Sequence, residues 1–158
     1  MIQRPQSVYF AIASIFTLLL LYVNISFFSV SNGYAVSLNA LGLTPSEAIE
    51  KLSLNIRTLS LTITTIISGF ISLVALFLYK NRSLQIRLAR ITIVLLATII
   101  AQSILLTEDV FNQLQTLGYE KTYYWGFAFP FISIALIVLA LLGVKKDEAL
   151  IKSMDRIR

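Results

Sequence analysis

Cysteine and histidine are both missing from this 158-residue chain. Their absence removes disulfides, thiol redox chemistry, haem axial histidine and the usual zinc and copper ligands together. Cys–His and Ser–His–Asp catalysis go with them. Compartment stays open, because a cysteine-free chain suits either redox poise. Charge is scarce as well, at 13% of residues against about 25% in soluble proteins. No basic patch interleaved with aromatics is present, so the formal charge of +5 is not assigned to nucleic-acid binding.

Apolar residues are what the chain has in quantity, 57% of it. Its length allows one domain, 1–158. Four apolar runs, near 8–30, 58–79, 88–107 and 123–144, reach the roughly 20 residues that a bilayer crossing needs. The sequence therefore predicts an all-α membrane protein, an antiparallel bundle of four transmembrane helices. The first run is longer than the apolar core of a signal peptide and no small-x-small cleavage site follows it, so it reads as a retained anchor.

Lysine and arginine set the expected orientation. Arg4, Lys80, Arg82, Arg87, Arg90, Lys145, Lys146, Lys152, Arg156 and Arg158 fall on one side, and Lys51, Arg57 and Lys121 on the other. Five of the eight acidic residues lie with the smaller basic group. Both termini and the loop between the second and third spans are thus expected in the cytoplasm, with the chain multi-pass in a bacterial inner membrane. Tyr119, Tyr123, Tyr124 and Trp125 bunch where the fourth span would meet the outer interface, as an aromatic belt does; filling a core is the alternative.

The outer loops carry local signals. Asn32-Gly33 between apolar-rich flanks predicts a small β-hairpin with a two-residue turn. Thr44, Pro45 and Glu47 stand as N-cap, first helical residue and capping-box acid, so a short helix is expected there. In "EDVFNQLQTLG", Val110, Phe111, Leu114 and Leu117 keep helical spacing and Gly118 can end the helix. The second and third helices are expected to project beyond the bilayer.

None of the four spans has an ionisable residue near its middle. That argues against a proton-coupled pump, a charged-ring channel or an intramembrane aspartyl protease, and the chain is read as no enzyme, with no cofactor and no metal. Thr58, Thr62, Thr65, Gly69 and Ser72 recur every three or four residues, on one helix face. Small side chains with hydroxyls suit close helix packing; a polar stripe lining a conduit is the alternative. Asn24 and Gln102, the strongest polar groups within spans, are read as interhelical hydrogen-bonding groups. With Pro130, expected to bend the fourth span, they are also the candidates for a small-molecule site.

The end of the chain, 145–158, is dense in mixed charge yet still helical in period. Leu150, Ile151, Met154 and Ile157 fall on one side. A lipid-binding helix would be more one-sidedly basic, so the apolar side is expected to meet a partner or the protein's own loop, with a bend near Gly143. A solvated tail is the alternative.

"MIQRPQSVYF" and "KKDEALIKSMDRIR" resemble the two terminal segments of a Bacteroidota family, domain of unknown function 4293. The matching positions are Met1, Ile2, Gln3 and Arg4, then Lys146, Asp147, Glu148, Ala149, Leu150, Asp155 and Arg156. The resemblance implies a small four-helix inner-membrane protein and brings no activity with it. Pro5 departs from the pattern, which favours an aliphatic residue there, and bears on how the first helix starts. The function expected is that of a non-enzymatic accessory or scaffold subunit of an inner-membrane complex, meeting other membrane subunits through its spans and termini. Its rival is a carrier or sensor of a lipid- or quinone-like molecule held between the helices.

Overall fold

The computed structural model describes residues 5–29, 35–44, 58–78, 81–115 and 118–155, and from residue 150 onward the helical course alone. Four helices account for most of it: α1 (Pro5–Leu19), α2 (Leu59–Phe77), α3 (Arg82–Leu114) and α4 (Phe129–Asp155). Four short strands, β1 (Ser26–Ser29), β2 (Ala35–Asn39), β3 (Gly42–Thr44) and β4 (Glu120–Tyr123), sit between them.

The helices form a square in which α1 touches α2 and α4, and α3 touches the same two. Side-chain bonds fix the directions. Ser14 Oγ donates to the Gly69 carbonyl at 3.0 Å and Ser72 Oγ to that of Phe10 at 3.2 Å, so α1 and α2 run antiparallel. Gln85 Nε2 reaches the Ala75 carbonyl at 3.0 Å and Thr64 Oγ1 reaches Gln102 Oε1 at 2.8 Å, which sets α3 antiparallel to α2. Thr17 donates to Ser133 at 3.2 Å and Gln6 to Asp147 at 2.9 Å, setting α4 antiparallel to α1.

Buried positions alternate between steps of three and four: Leu61, Thr65, Ser68, Ser72 and Ala75 on α2, and Ser133, Ile137, Ala140 and Val144 on α4. On α3 the same steps run from Gln85 through Ala89, Thr92, Leu96 and Ile99 to Ser103. That is the seam of a left-handed bundle, where ridges of one helix enter grooves of the next. The outward faces of α2, α3 and α4 are covered by large apolar side chains such as Phe70, Val94 and Leu142. Three helical stretches, Leu59–Phe77, Arg82–Leu114 and Trp125–Ala149, are long and apolar enough to cross a membrane.

The first apolar run departs from expectation. It is helical only from Pro5 to Leu19, about 22 Å long, and its remainder turns and enters β1. The last turn tightens as the N–H groups of Leu20, Leu21 and Tyr22 bond three residues back. Beyond it, Ile25 donates to Leu38, Ala40 to Leu20 and Tyr124 to Ile25, so the backbone leaves the helix with partners in place. An apolar run alone does not separate a buried strand from a helix.

The all-α expectation is corrected in the same place. The strands form one antiparallel sheet in the order β3-β2-β1-β4. The predicted hairpin exists as β1–β2, paired from Ser26↔Leu38 to Ser29↔Ala35. Its turn, with Asn32 and Gly33, lies outside the described residues. Thr44 ends β3, and its hydroxyl pairs with Ser37. Pro45 and Glu47, on which the short helix was expected, also lie outside the described residues.

This sheet caps one end of the bundle. α3 continues past Thr107, whose hydroxyl donates to Ser26 at 3.2 Å, and presents Val110 and Leu114 to Phe28, Val36, Leu38 and Tyr119. Gly118, at φ +78°, turns the chain from α3 toward β4. Tyr119 is therefore cap core, 8% exposed, whereas Trp125 is 75% exposed; the belt reading is corrected for Tyr119.

Two expected bends are replaced by other roles. Pro130 lies in the first turn of α4, after a 3-10 turn over Trp125–Ala128. A helix start tolerates a residue without N–H, so α4 begins there rather than bending. α4 then runs unbroken through Gly143. A Cβ at Gly143 would stand 2.6 Å from Gln6 Cγ, so the missing side chain admits α1.

Candidate functional site

At the end of the bundle opposite the sheet, the two terminal segments meet. Among the described residues α1 begins at Pro5, whose fixed φ is suited to a helix. Gln6 follows, lies over Gly143 and donates Nε2 to Asp147 Oδ2. Arg82, the first residue of α3, donates to the Asp147 carbonyl at 2.9 Å. Gln85, 3% exposed, donates to the Ala75 carbonyl in the last turn of α2, one of the carbonyls that a helix end leaves unpaired. Starts of α1 and α3 and ends of α2 and α4 are thus joined through four polar side chains.

Ionised groups gather at this end. Arg87 and Arg90 are exposed farther along α3, and Lys145 and Lys146 are exposed beside the junction. The α4 helix carries Leu150, Ile151 and Met154 onward from it; their side chains, and Ile157 altogether, lie outside the described residues. The structure therefore joins Asp147 of the tail to α1 and α3 and does not describe the tail's apolar side.

The predicted packing stripe of α2 faces inward. Thr65, Gly69 and Ser72 are buried toward α1, where Leu18 covers Gly69 closely enough that a Cβ would stand 2.6 Å from Leu18 Cδ2. Thr58 and Thr62 lie at the cap instead, donating to the carbonyls of Leu41 and Ala40. The stripe thus joins α2 to α1 over its middle and to the sheet at its start.

Of the three small-molecule candidates, Gln102 stands on one seam, while Asn24 and Pro130 both lie where the end of α1 meets the start of α4. Gln102 is on the α2–α3 seam, its amide oxygen taken by Thr64. Asn24 follows α1 and accepts the Gly126 N–H on its carbonyl at 3.1 Å. Pro130 is buried at the start of α4. Among the described residues, the buried side-chain polar atom without a partner is Ser68 Oγ. Other buried hydroxyls bond the carbonyl a turn back or a neighbouring helix, as Thr65, Thr92, Ser103 and Ser133 do, or reach the cap, as Thr58 and Thr107 do.

Sequence reasoning missed β4 and what holds it. Lys121 pairs with Glu108 of α3 and lies 4.9 Å from the Phe111 ring centre. The hydrogen bond to Glu108 holds the Lys121 ammonium above the ordinary lysine range, against a smaller opposing effect of burial. The available signal was "YEKTY", an aromatic-ended alternation directly after a glycine.

A family model described as Domain of unknown function (DUF4293) matches residues 2–157. No curated protein matches the chain.

Proposed function

The chain belongs to the DUF4293 family, and from that premise we propose that it is a membrane-embedded, non-enzymatic accessory or scaffold subunit of an inner-membrane complex. Its termini and the α2–α3 connection face the cytoplasm in this reading, and the sheet faces outward. The observation that carries it is the junction of Gln6, Gly143, Asp147 and Arg82. Gln6 and Asp147, one from each terminal segment and far apart in sequence, meet there, and the charged tail helix leads away from them. The basic excess at this end supports its cytoplasmic side. The interior lends support to a packing role, since its hydroxyls, Ser68 apart, are mostly spent on helix–helix and own-helix bonds.

The carrier reading has less behind it. Gln102 lies on the α2–α3 seam, away from Asn24 and Pro130 at the α1–α4 joint, and is already engaged by Thr64. Affinity purification of the full chain in mild detergent tests the choice. A stoichiometric protein partner that is lost when Leu150 and Met154 are both changed to Ser supports the subunit. A lone chain carrying one tightly held apolar small molecule contradicts it.

A further inference from the structure

Two arginines of α3 stand apart from the junction. Arg82 is tied to Asp147. Arg87 and Arg90 are exposed, and among the described residues neither has a hydrogen-bond or ion-pair partner. They lie five and eight residues along the helix from Arg82, about 7.5 and 12 Å toward the sheet end at 1.5 Å per residue. On the antiparallel α4 the ionised residues stop at Lys145, only about 3 Å from Asp147 on the same rise. Both guanidinium stems therefore leave α3 within its apolar outer strip, beside exposed Leu84, Ile91 and Val94.

A bare cation at that depth of a bilayer is costly. Helical side chains lean toward the helix N-terminus, here the Arg82 end, so both arginines can extend to the headgroup level. What waits there is phosphate, which the guanidinium fork holds through two parallel bonds. Positions three apart on a helix lie about 5–6 Å from each other, so both forks can close on one phosphate. Lys145 and Lys146, exposed at the same end, favour a headgroup of net negative charge over a zwitterionic one.

We propose that the Arg87–Arg90 strip of α3 is a docking site for one anionic phospholipid, its phosphate held by both guanidiniums and its acyl chains laid along Ile91 and Val94. The site goes beyond the subunit reading and does not depend on it.

Native mass spectrometry of the purified full chain, with phosphatidylglycerol and phosphatidylcholine supplied at equal concentration, tests it. The expected result is one retained phosphatidylglycerol, with the preference falling about fivefold for each of Arg87→Gln and Arg90→Gln. Lys145→Gln with Lys146→Gln should leave most of it. The double Arg→Lys variant, which keeps the charge and is checked for an unchanged melting temperature, should hold the lipid more weakly because an ammonium has no fork. Equal retention of both lipids by the unmodified protein overturns the site. So does an equal loss in the lysine variant, which would mean diffuse surface charge, or undiminished retention in the Arg→Lys variant. An acidic protein chain that leaves with the two arginines while the lipid count stays constant also overturns it.

Discussion

The two ends of this molecule are packed by different chemistry. The cap encloses Phe28, Val36, Leu38, Val110, Leu114 and Tyr119, large apolar side chains of the kind that hold soluble domains together. The bundle also encloses large residues such as Phe10, Leu61, Leu96, Ile99 and Ile137, but interleaves them with Ala13, Ser14, Thr17, Thr65, Ser68, Ser72, Ala75, Ala89 and Thr92. Lipid tails are as apolar as leucine, so burying leucine between helices gains little there; close approach and interhelical hydrogen bonds decide instead. That composition suits a bundle whose three long apolar helices could cross a membrane. The sheet end is packed like a small soluble domain, and the bundle like helices that cross a membrane.

The comparison breaks most visibly at Phe28. Phe28→Ala should destabilise the cap by about 3–5 kcal/mol, the usual cost of emptying an aromatic site, read by thermal unfolding in detergent. In the bundle the corresponding damage comes from adding volume. Gly69→Leu should cost on the order of 1–3 kcal/mol, and Gly69→Ala less, because the obstacle is the flexible end of Leu18. Gly126→Ala belongs with the severe cases. Its Cβ would stand 2.4 Å from the Asn24 carbonyl oxygen, which no rotamer change can move.

Where cap and bundle join, Thr107→Val should cost about 1 kcal/mol by stranding Ser26. Adding Ser26→Ala should recover part of that, because both partners are then gone. The smallest effect is expected at Lys121. An exposed ion pair is worth at most about 1 kcal/mol. Because the folded ammonium is held above the ordinary range, its contribution is full below the unfolded lysine pKa and lost as pH rises through the folded one. Lys121→Met should leave stability unchanged within error at strongly alkaline pH and lower it slightly at neutral pH.

The bundle seams were readable because they are local. Thr65, Gly69 and Ser72 recur at helical spacing, and spacing alone puts them on one face. The early end of α1 was not readable, since Leu18 to Phe28 continues one apolar run while the partner of Ser26 is Tyr123, 97 positions away. Pro130 misled for a related reason. A proline bends a helix that has already begun and opens one that has not. Where α4 begins is set by the contact between Gly126 and Asn24. The joined termini were half readable: charge placed Gln6 and Asp147 on one side, but only the packing of α1 on Gly143 brings them within hydrogen-bonding distance.

The central claim is that the sheet end and the Arg82 end stand in water on opposite sides of a membrane, with the bundle between them in lipid. A chain without cysteine allows a direct measurement, because any cysteine introduced is its only thiol. Thr122→Cys, Phe70→Cys and Asn81→Cys, all at exposed positions, would be treated in intact cells with a membrane-impermeant maleimide. The account predicts labelling at 122 in intact cells, at 81 only after permeabilisation, and at 70 in neither. Labelling at 70 as fast as at 122, or labelling of 122 and 81 from the same side, would contradict it.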